Sequence, residues 1–547
     1  MRLAIGVNKN IFYAFPQPAN DSAKISDPDV LKNVNFWLSD SQQSLRNKLY
    51  LSENKNIAKN VIFFIGDGMS VSTVTASRIY GGQMKGIVGE RNSLFMERFP
   101  YVGLSKTYCA DRQVSDSACT ATAYHTGIKA NFATIGVSAH VKTAKCEAAL
   151  KPEHQLESIS SWAQKAGKAT GIVTTTRITH ATPAGAYAHT SLRDYESDFD
   201  VIARKADPKQ CIDVARQLVE NKVSKNFNVI MGGGATKLLP NGTMHDSGFM
   251  GERLDGRNII DEWIQSKDDG TSFVHNRQQL LELDTEVTNN LIGIFANSHM
   301  SYNLDNDGSQ PTLKEMTAAA ISILKKEPNG FFLFVEGGRI DHAHHETKAK
   351  KALDETVQFD EAIRQAYELT DPSETLIVIS ADHGHTMTIN GYPKLGNAIT
   401  GISTEMTNID FLPYTTLSYA NGPAFSRFLY SSHMSNMEKH NEDLFSDTHE
   451  DVVKRYDVRK ITNIGEKDFQ YPAAAPMIEE THGGGDVAIY ANGPWSHLFT
   501  GVLEQNTLPI FMAFAACIGP DELNSCNYNT DNSGNKLDHN LLLKSVS

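Results

Sequence analysis

Phe331-Phe-Leu-Phe-Val-Glu-Gly-Gly-Arg-Ile-Asp-His-Ala-His-His345 is the stretch that decides the fold. Phe331–Val335 is apolar without alternation, which predicts a strand covered on both faces. Glu336, Asp341, His342, His344 and His345 follow at once, so metal-competent side chains gather at the carboxyl end of that strand. In an open α/β sheet this is the end where ligands bind. Asp341 and His345 are four apart, the spacing that places two side chains on one side of a helix, where they can share an ion. His342 and His344 read more simply as supporting or surface imidazoles.

The pattern recurs outward from this stretch. Asn60–Gly66 is an apolar strand followed by Asp67-Gly68. Ala169–Thr175 leads into Thr176-Arg-Ile-Thr-His180-Ala-Thr182, and Thr375–Ser380 into Ala381-Asp382-His383-Gly-His385. Glu479-Glu-Thr-His482-Gly precedes a late strand at 486–490. A further strand is expected at 227–231, and helices at 155–166, 211–221, 313–326 and 353–369. This alternation predicts an α/β fold, a large mostly parallel central sheet with helices on both faces. Residues 27–50 read as an N-terminal helical arm, with Asp27 or Asp29 as cap, Pro28 in its first turn, and Leu31, Val34, Trp37 and Leu38 in one stripe. Residues 391–475 are loop-rich and read as an inserted subdomain. The catalytic α/β domain then spans 51–390 and resumes over 476–520, and 521–547 is a polar tail.

Mixed His and carboxylate ligands suit zinc, and Asp, Glu and Thr oxygens suit magnesium. Both sets are present, which points to a metal cluster. Val114 to Tyr124 reads as a helix start built of small residues. Ser117 there would have backbone N–H groups and the helix dipole beside it, a place for a phosphoryl anion. Metal coordination can turn such a serine into a nucleophile without a histidine base.

Composition limits the alternatives. The chain has 547 residues, with 51 Lys plus Arg against 64 Asp plus Glu, a net charge of −13. A nucleic-acid binder with a basic face is therefore not expected. Six cysteines are too few for a disulfide-built scaffold. No run of about 18 apolar residues occurs, so no membrane-spanning helix is expected. The first 15 residues make a poor signal peptide, and the carboxyl end lacks the apolar tail of a lipid-anchor signal. The triplets Asn20-Asp-Ser22 and Asn241-Gly-Thr243 are acceptors for glycosylation and permit secretion.

These residues resemble the alkaline phosphatase family, in its animal branch. The segments that carry the resemblance are Phe64–Met69, Asp116–Tyr124, Thr174–Gly185, Val335–His345, Ser380–His383 and Glu480–Gly483, with weaker likeness over about residues 30–520. The resemblance implies hydrolysis of small phosphate monoesters to alcohol and inorganic phosphate, with an alkaline pH optimum. The implied site holds two Zn²⁺ and one Mg²⁺ and works through a phosphoserine. Asp341, His345 and His482 would hold the first zinc. Asp67, Asp382, His383 and Ser117 would hold the second. Asp67, Thr182 and Glu336 would hold magnesium, with His180 behind it. Ser117 would be the nucleophile, and Arg193, with Asp116 beside it, would bind the phosphate oxygens. The family also implies a homodimer joined through 27–50 and 391–475. It implies an extracellular location, either secreted or lipid-anchored at the membrane surface. It pairs Cys146 with Cys211 and Cys517 with Cys526, which leaves Cys109 and Cys119 as thiols, Cys119 buried and inert.

Some residues depart from the family pattern. His125 and Thr126 stand where relatives often carry Leu-Cys, and Cys119 where many carry Gly or Ala. Ala296 and Gln310 stand at the acidic positions of a vertebrate-type calcium site, so calcium is not expected there. Two other readings remain. A metal-dependent phosphodiesterase or sulfatase on the same fold would lack the magnesium set, so Glu336, Thr182 and Arg193 together favour a phosphomonoesterase. An inactive cell-surface binding protein would show a broken ligand set.

Overall fold

The apolar runs lie side by side in a ten-stranded sheet. A computed structural model describes residues 30–425 apart from 243 and 246, residues 429–430, and residues 454–520. The strands are β1 (Asn60–Gly66), β2 (Tyr101–Lys106), β3 (Ala169–Arg177), β4 (Val229–Gly233), β5 (Thr271–Val274), β6 (Asn290–Ile294), β7 (Phe331–Gly337), β8 (Thr375–Ala381), β9 (Val487–Asn492) and β10 (Gly501–Glu504). Their order is β10-β2-β9-β8-β1-β7-β3-β4-β6-β5. From β8 to β5 the strands run parallel, and β9 alone runs against its neighbours β8 and β2.

Continuous apolar strands are needed because both faces are covered. On β1, Val61, Phe63 and Ile65 face a core shared with Ala118, Ala121 and Tyr124 of α3 (Ser117–Thr126) and Met512 of α7 (Leu508–Ala516). Ile62 and Phe64 face the opposite core, with Met316 and Ala320 of α4 (Leu313–Leu324) and Phe359 and Ile363 of α6 (Ala349–Glu368). Phe63 lies beside Phe334 in register, ring centroids 5.8 Å apart. Truncating either to Ala would cost about 3–5 kcal/mol.

Several expected elements shift or appear anew. The helix expected at 155–166 is only Ile159–Lys165, because Ser158 caps it and an irregular segment precedes it. The strand expected at 227–231 lies at Val229–Gly233. β2, β5, β6 and β10 were not expected; β2 and β10 expose part of their residues and carry no continuous apolar run. α2 (Val71–Met84) was also not expected, because its Ser, Thr and Gly residues are poor helix formers.

α1 (Val34–Leu49) is capped by Asn33, whose side chain accepts from the Asn35 N–H. Asp27, Pro28 and Asp29 lie outside the described residues, as do the Asn20–Ser22 triplet, Thr243, Cys526 and the 521–547 tail. α1 buries none of its residues; Val34 is 70% exposed and Leu49 72%. Beyond β8, the strands Met387–Ile389, Leu417–Gly422 and Ala473–Pro476 form a small sheet. Its core residues Met387, Leu417, Tyr419 and Tyr471 pack on Ala76 and Ile79 of α2 and on Leu353 of α6.

Candidate active site

The register of three central strands builds the site. Ile65 pairs with Glu336 on one side and Ser380 on the other, so Asp67, Glu336 and Asp382 emerge at one edge. Between them Gly68 takes φ +71°, and a Cβ there would fall 2.6 Å from the His385 ring. Only glycine fits that approach without strain. Its N–H donates to Asp382 Oδ1 at 2.9 Å.

Asp341 and His345 share a face of α5 (Arg339–His345), as their spacing predicts. Asp341 Oδ2 is 3.3 Å from His345 Nε2, and Asp341 Oδ1 is 3.4 Å from His482 Nε2. His345 and His482 each donate from Nδ1 to a backbone carbonyl, Glu480 and Ser115 respectively. Their Nε2 atoms therefore point inward, 3.1 Å apart. Burial, and then His383, brings His482 down to about 4. Asp341 raises His345 above the usual imidazole range against the effect of burial. One proton can sit between the two Nε2 atoms, and a dication in the same place would satisfy both.

The second group surrounds His383 Nε2, which is 3.1 Å from Asp382 Oδ2, 3.3 Å from Ser117 Oγ and 3.7 Å from Asp67 Oδ1. Asp67 is raised well above the carboxylate range, first by burial and then by Asp382, Asp341 and Glu336. The third group joins Asp67 to Thr182, whose hydroxyl is 3.5 Å from Asp67 Oδ2, and to Glu336 and His180. Burial pushes Glu336 up to about 7, against the hydroxyls of Thr174 and Thr176. Glu336 Oε1 and Asp382 Oδ2 are buried with no hydrogen-bond partner. Buried carboxylates this close, with unpartnered oxygens, fit bound dications.

Ser117 is the first residue of α3 and Asp116 its cap. Asp116 Oδ1 accepts from the Cys119 and Ala133 N–H groups, and Oδ2 accepts from Arg193 Nη1 at 3.0 Å. Arg193 Nη2 donates to His180 Nε2 at 3.0 Å, so the guanidinium is held from two sides. His180, His299 and His342 also form a close group, but Arg193 donates to His180 and Arg177 Nη1 lies 2.6 Å from His299 Nε2. Both nitrogens of His299 are thereby engaged, since its Nδ1 accepts from the Arg177 N–H at 3.3 Å, whereas His180 Nδ1 has no hydrogen-bond partner.

Two residues of the site carry no role in the sequence reading. His385 bridges Asp341 Oδ1 at 2.6 Å and Glu480 Oε2 at 2.5 Å. Despite burial, Glu480 and Asp341 raise His385 to about 10. Glu480 Oε1 also accepts from the Thr386 N–H at 2.8 Å. Both lie inside the quoted motifs, and their signal was adjacency to a ligand. The expectation of two spare thiols is corrected, because Cys109 and Cys119 are bridged. Their ten-residue separation hides that the loop after β2 folds back onto the first turn of α3. Cys146 pairs with Cys211, and Cys517 is also disulfide-bonded. His125 is buried against Phe334, ring centroids 4.6 Å apart.

Comparison with known proteins gives the family. Residues 58–518 match the family model "Alkaline phosphatase". The chain is 44% identical over 503 residues to the tissue-nonspecific alkaline phosphatase isozyme of Gallus gallus, covering 90% of this chain and 91% of that protein. It is 43% identical to the Homo sapiens isozyme, covering 90% of each. Identity to a membrane-bound alkaline phosphatase of Bombyx mori is 41%, covering 89% of this chain and 86% of that protein. Among solved structures, the alkaline phosphatase of the Antarctic bacterium TAB5 gives a TM-score of 0.55 at 20% identity, covering 85% of this chain and 100% of that one, a likeness of fold. With a family model spanning most of its length and relatives this close, the chain belongs to the alkaline phosphatase family.

Proposed function

We propose that this enzyme hydrolyses phosphate monoesters through a phosphoserine on Ser117, with Arg193 binding the phosphate oxygens. The observation that carries the reading is the place of Ser117 Oγ, 3.3 Å from His383 Nε2 and 3.5 Å from Asp67 Oδ1, at the capped start of α3. Asp341, His345 and His482 would hold one zinc, and Asp67, Asp382, His383 and Ser117 the other. Asp67, Thr182 and Glu336 would hold magnesium. Bound there, the ions supply Lewis-acid stabilisation of the attacking and departing oxygens.

The chain's own residues do the rest. Phosphoryl transfer depends mainly on positioning and electrostatics. Arg193 presents a planar fork suited to two phosphate oxygens, and Asp116 and His180 fix its orientation. Ser117 attacks in line and displaces the alcohol, and water then displaces Ser117. Two inversions leave the configuration at phosphorus retained.

The same reading extends to assembly and location. The exposed stripe of α1 is suited to a second copy of the chain, which supports a homodimer. The bridges belong to an oxidising compartment, which supports an extracellular enzyme, secreted or lipid-anchored. Among the described residues no helix is long and apolar enough to cross a membrane.

Ser117→Ala is the test. Turnover of a phosphate monoester should fall by about 10³-fold or more, with zinc content near that of the parent. Activity within tenfold of the parent would show that another group is the nucleophile.

A further inference from the structure

The disulfide Cys109–Cys119 joins the loop leaving β2 to the first turn of α3, two residues past Ser117. Both cysteines are buried against Ala130, and neither enters the chemistry above. The bridge closes a short loop without regular structure; its first anchor is the Ala110 N–H, which donates to the Ala130 carbonyl at 2.9 Å, and its later ones lead to the site. Asp111 Oδ1 accepts from the Phe132 N–H at 2.8 Å. The Ser115 carbonyl accepts from His482 Nδ1 at 2.7 Å. Asp116 accepts from the Ala133 N–H and from Arg193, both at 3.0 Å. At its start the loop is tied to the main sheet, where Ser105 of β2 pairs with Val487 of β9.

We propose that the Cys109–Cys119 bridge is a positioning element for phosphate binding: it fixes Asp116, and through Asp116 it fixes the fork of Arg193. The inference rests on the reading of Arg193 as the phosphate-binding group. An irregular loop samples many backbone states, and cross-linking it to the helix that carries the nucleophile removes most of them. Asp116 then caps α3 and holds Arg193 from one place. A two-point contact with phosphate tolerates little displacement, whereas His482, though it donates to Ser115, also lies beside Asp341 and His345, so loosening the loop acts on the bound anion before it acts on zinc.

The experiment compares the holoenzyme with Cys109→Ala/Cys119→Ala, reading the inhibition constant of inorganic phosphate, KM, kcat and zinc content. The expected result is a rise of about tenfold in both the phosphate inhibition constant and KM, smaller than the roughly hundredfold effect of a full 1 Å misplacement. Zinc content and kcat should change little. A bridge that only holds the fold would lower the melting temperature and leave the phosphate inhibition constant within twofold, and that result overturns the proposal. If the double variant does not fold, Cys109→Ser gives the same readouts. In an Asp116→Asn background, removing the bridge should add less than twofold, because the effects share one path. Full additivity overturns the proposal. Arg193→Ala separates the two readings. An unchanged phosphate inhibition constant there refutes the role of Arg193, whereas a raised one with inert cysteine variants refutes only the bridge.

Discussion

His345 and His482 face each other through Nε2 atoms 3.1 Å apart, and each is locked in that orientation by an Nδ1–H bond to a backbone carbonyl. The arrangement suits a dication that Asp341 approaches from the side. Without the ion, a proton must fill the gap, so protons and zinc compete for one place. Zinc affinity at this site should therefore fall with pH through the range where His345, raised by Asp341, takes up its proton. Zinc retained after dialysis at stepped pH checks this. Retention that does not depend on pH down to 5 would contradict it.

Glu480 should matter although it is not proposed as a ligand. It holds His385, which holds Asp341, and it receives the Thr386 N–H. Glu480→Gln keeps the shape but weakens this chain of charges. Zinc affinity should drop about 10–100-fold, as for other groups that orient metal ligands. Competition with a chromophoric chelator measures it, and an unchanged affinity would show that Asp341 needs no such support.

In the proposed assignment, Glu336 belongs to the magnesium set alone. Its Oε1 is buried without a partner, and Thr174 and Thr176 direct its other oxygen. Glu336→Gln should lower magnesium content while leaving close to two zinc per chain, with kcat reduced about 10–100-fold. Metal analysis by mass spectrometry decides it. Loss of zinc in proportion to magnesium would merge the two sites.

His125 predicts a pH-dependent stability. Burial takes it from its ordinary value down to about 3. In the unfolded chain it binds a proton near pH 6.5, so between these values the unfolded state holds more protons. Its unfavourable contribution is thus small above pH 6.5 and grows by about 1.4 kcal/mol per pH unit as pH falls towards 3. His125→Leu should stabilise the protein by about 1 kcal/mol at pH 8, where burial of an imidazole without a well-aligned partner is relieved. The gain should increase below pH 6.5. Melting temperatures of parent and variant across pH 5–9 test this, and a constant difference would refute it.

Much of the sheet was legible because its central strands are covered on both faces. Residues 331–335 and 61–65 must be apolar throughout, and the polar residues soon after them mark the strand ends. The edge was harder to read. β2 and β10 are half exposed, so their composition carries no strong period. Most of the residues that the fold brings together at this edge could be named because a ligand set requires particular side chains at particular strand ends. His385 and Glu480 were not assigned because their role is to hold Asp341, and that depends on a contact between residues 95 apart. The Cys109–Cys119 bridge was missed for a similar reason. Nothing local shows that the loop after β2 returns to the start of α3.

The central claim is that Ser117 carries the phosphoryl group. The most direct measurement is rapid acid quenching of the enzyme during turnover of a phosphate monoester, followed by mass analysis of the peptide spanning residues 113–129. The account predicts one phosphoryl group on that peptide, located on Ser117 and absent from the Ser117→Ala protein. Steady turnover with Ser117 unmodified at every quench time, or the phosphoryl group found on another residue, would contradict it.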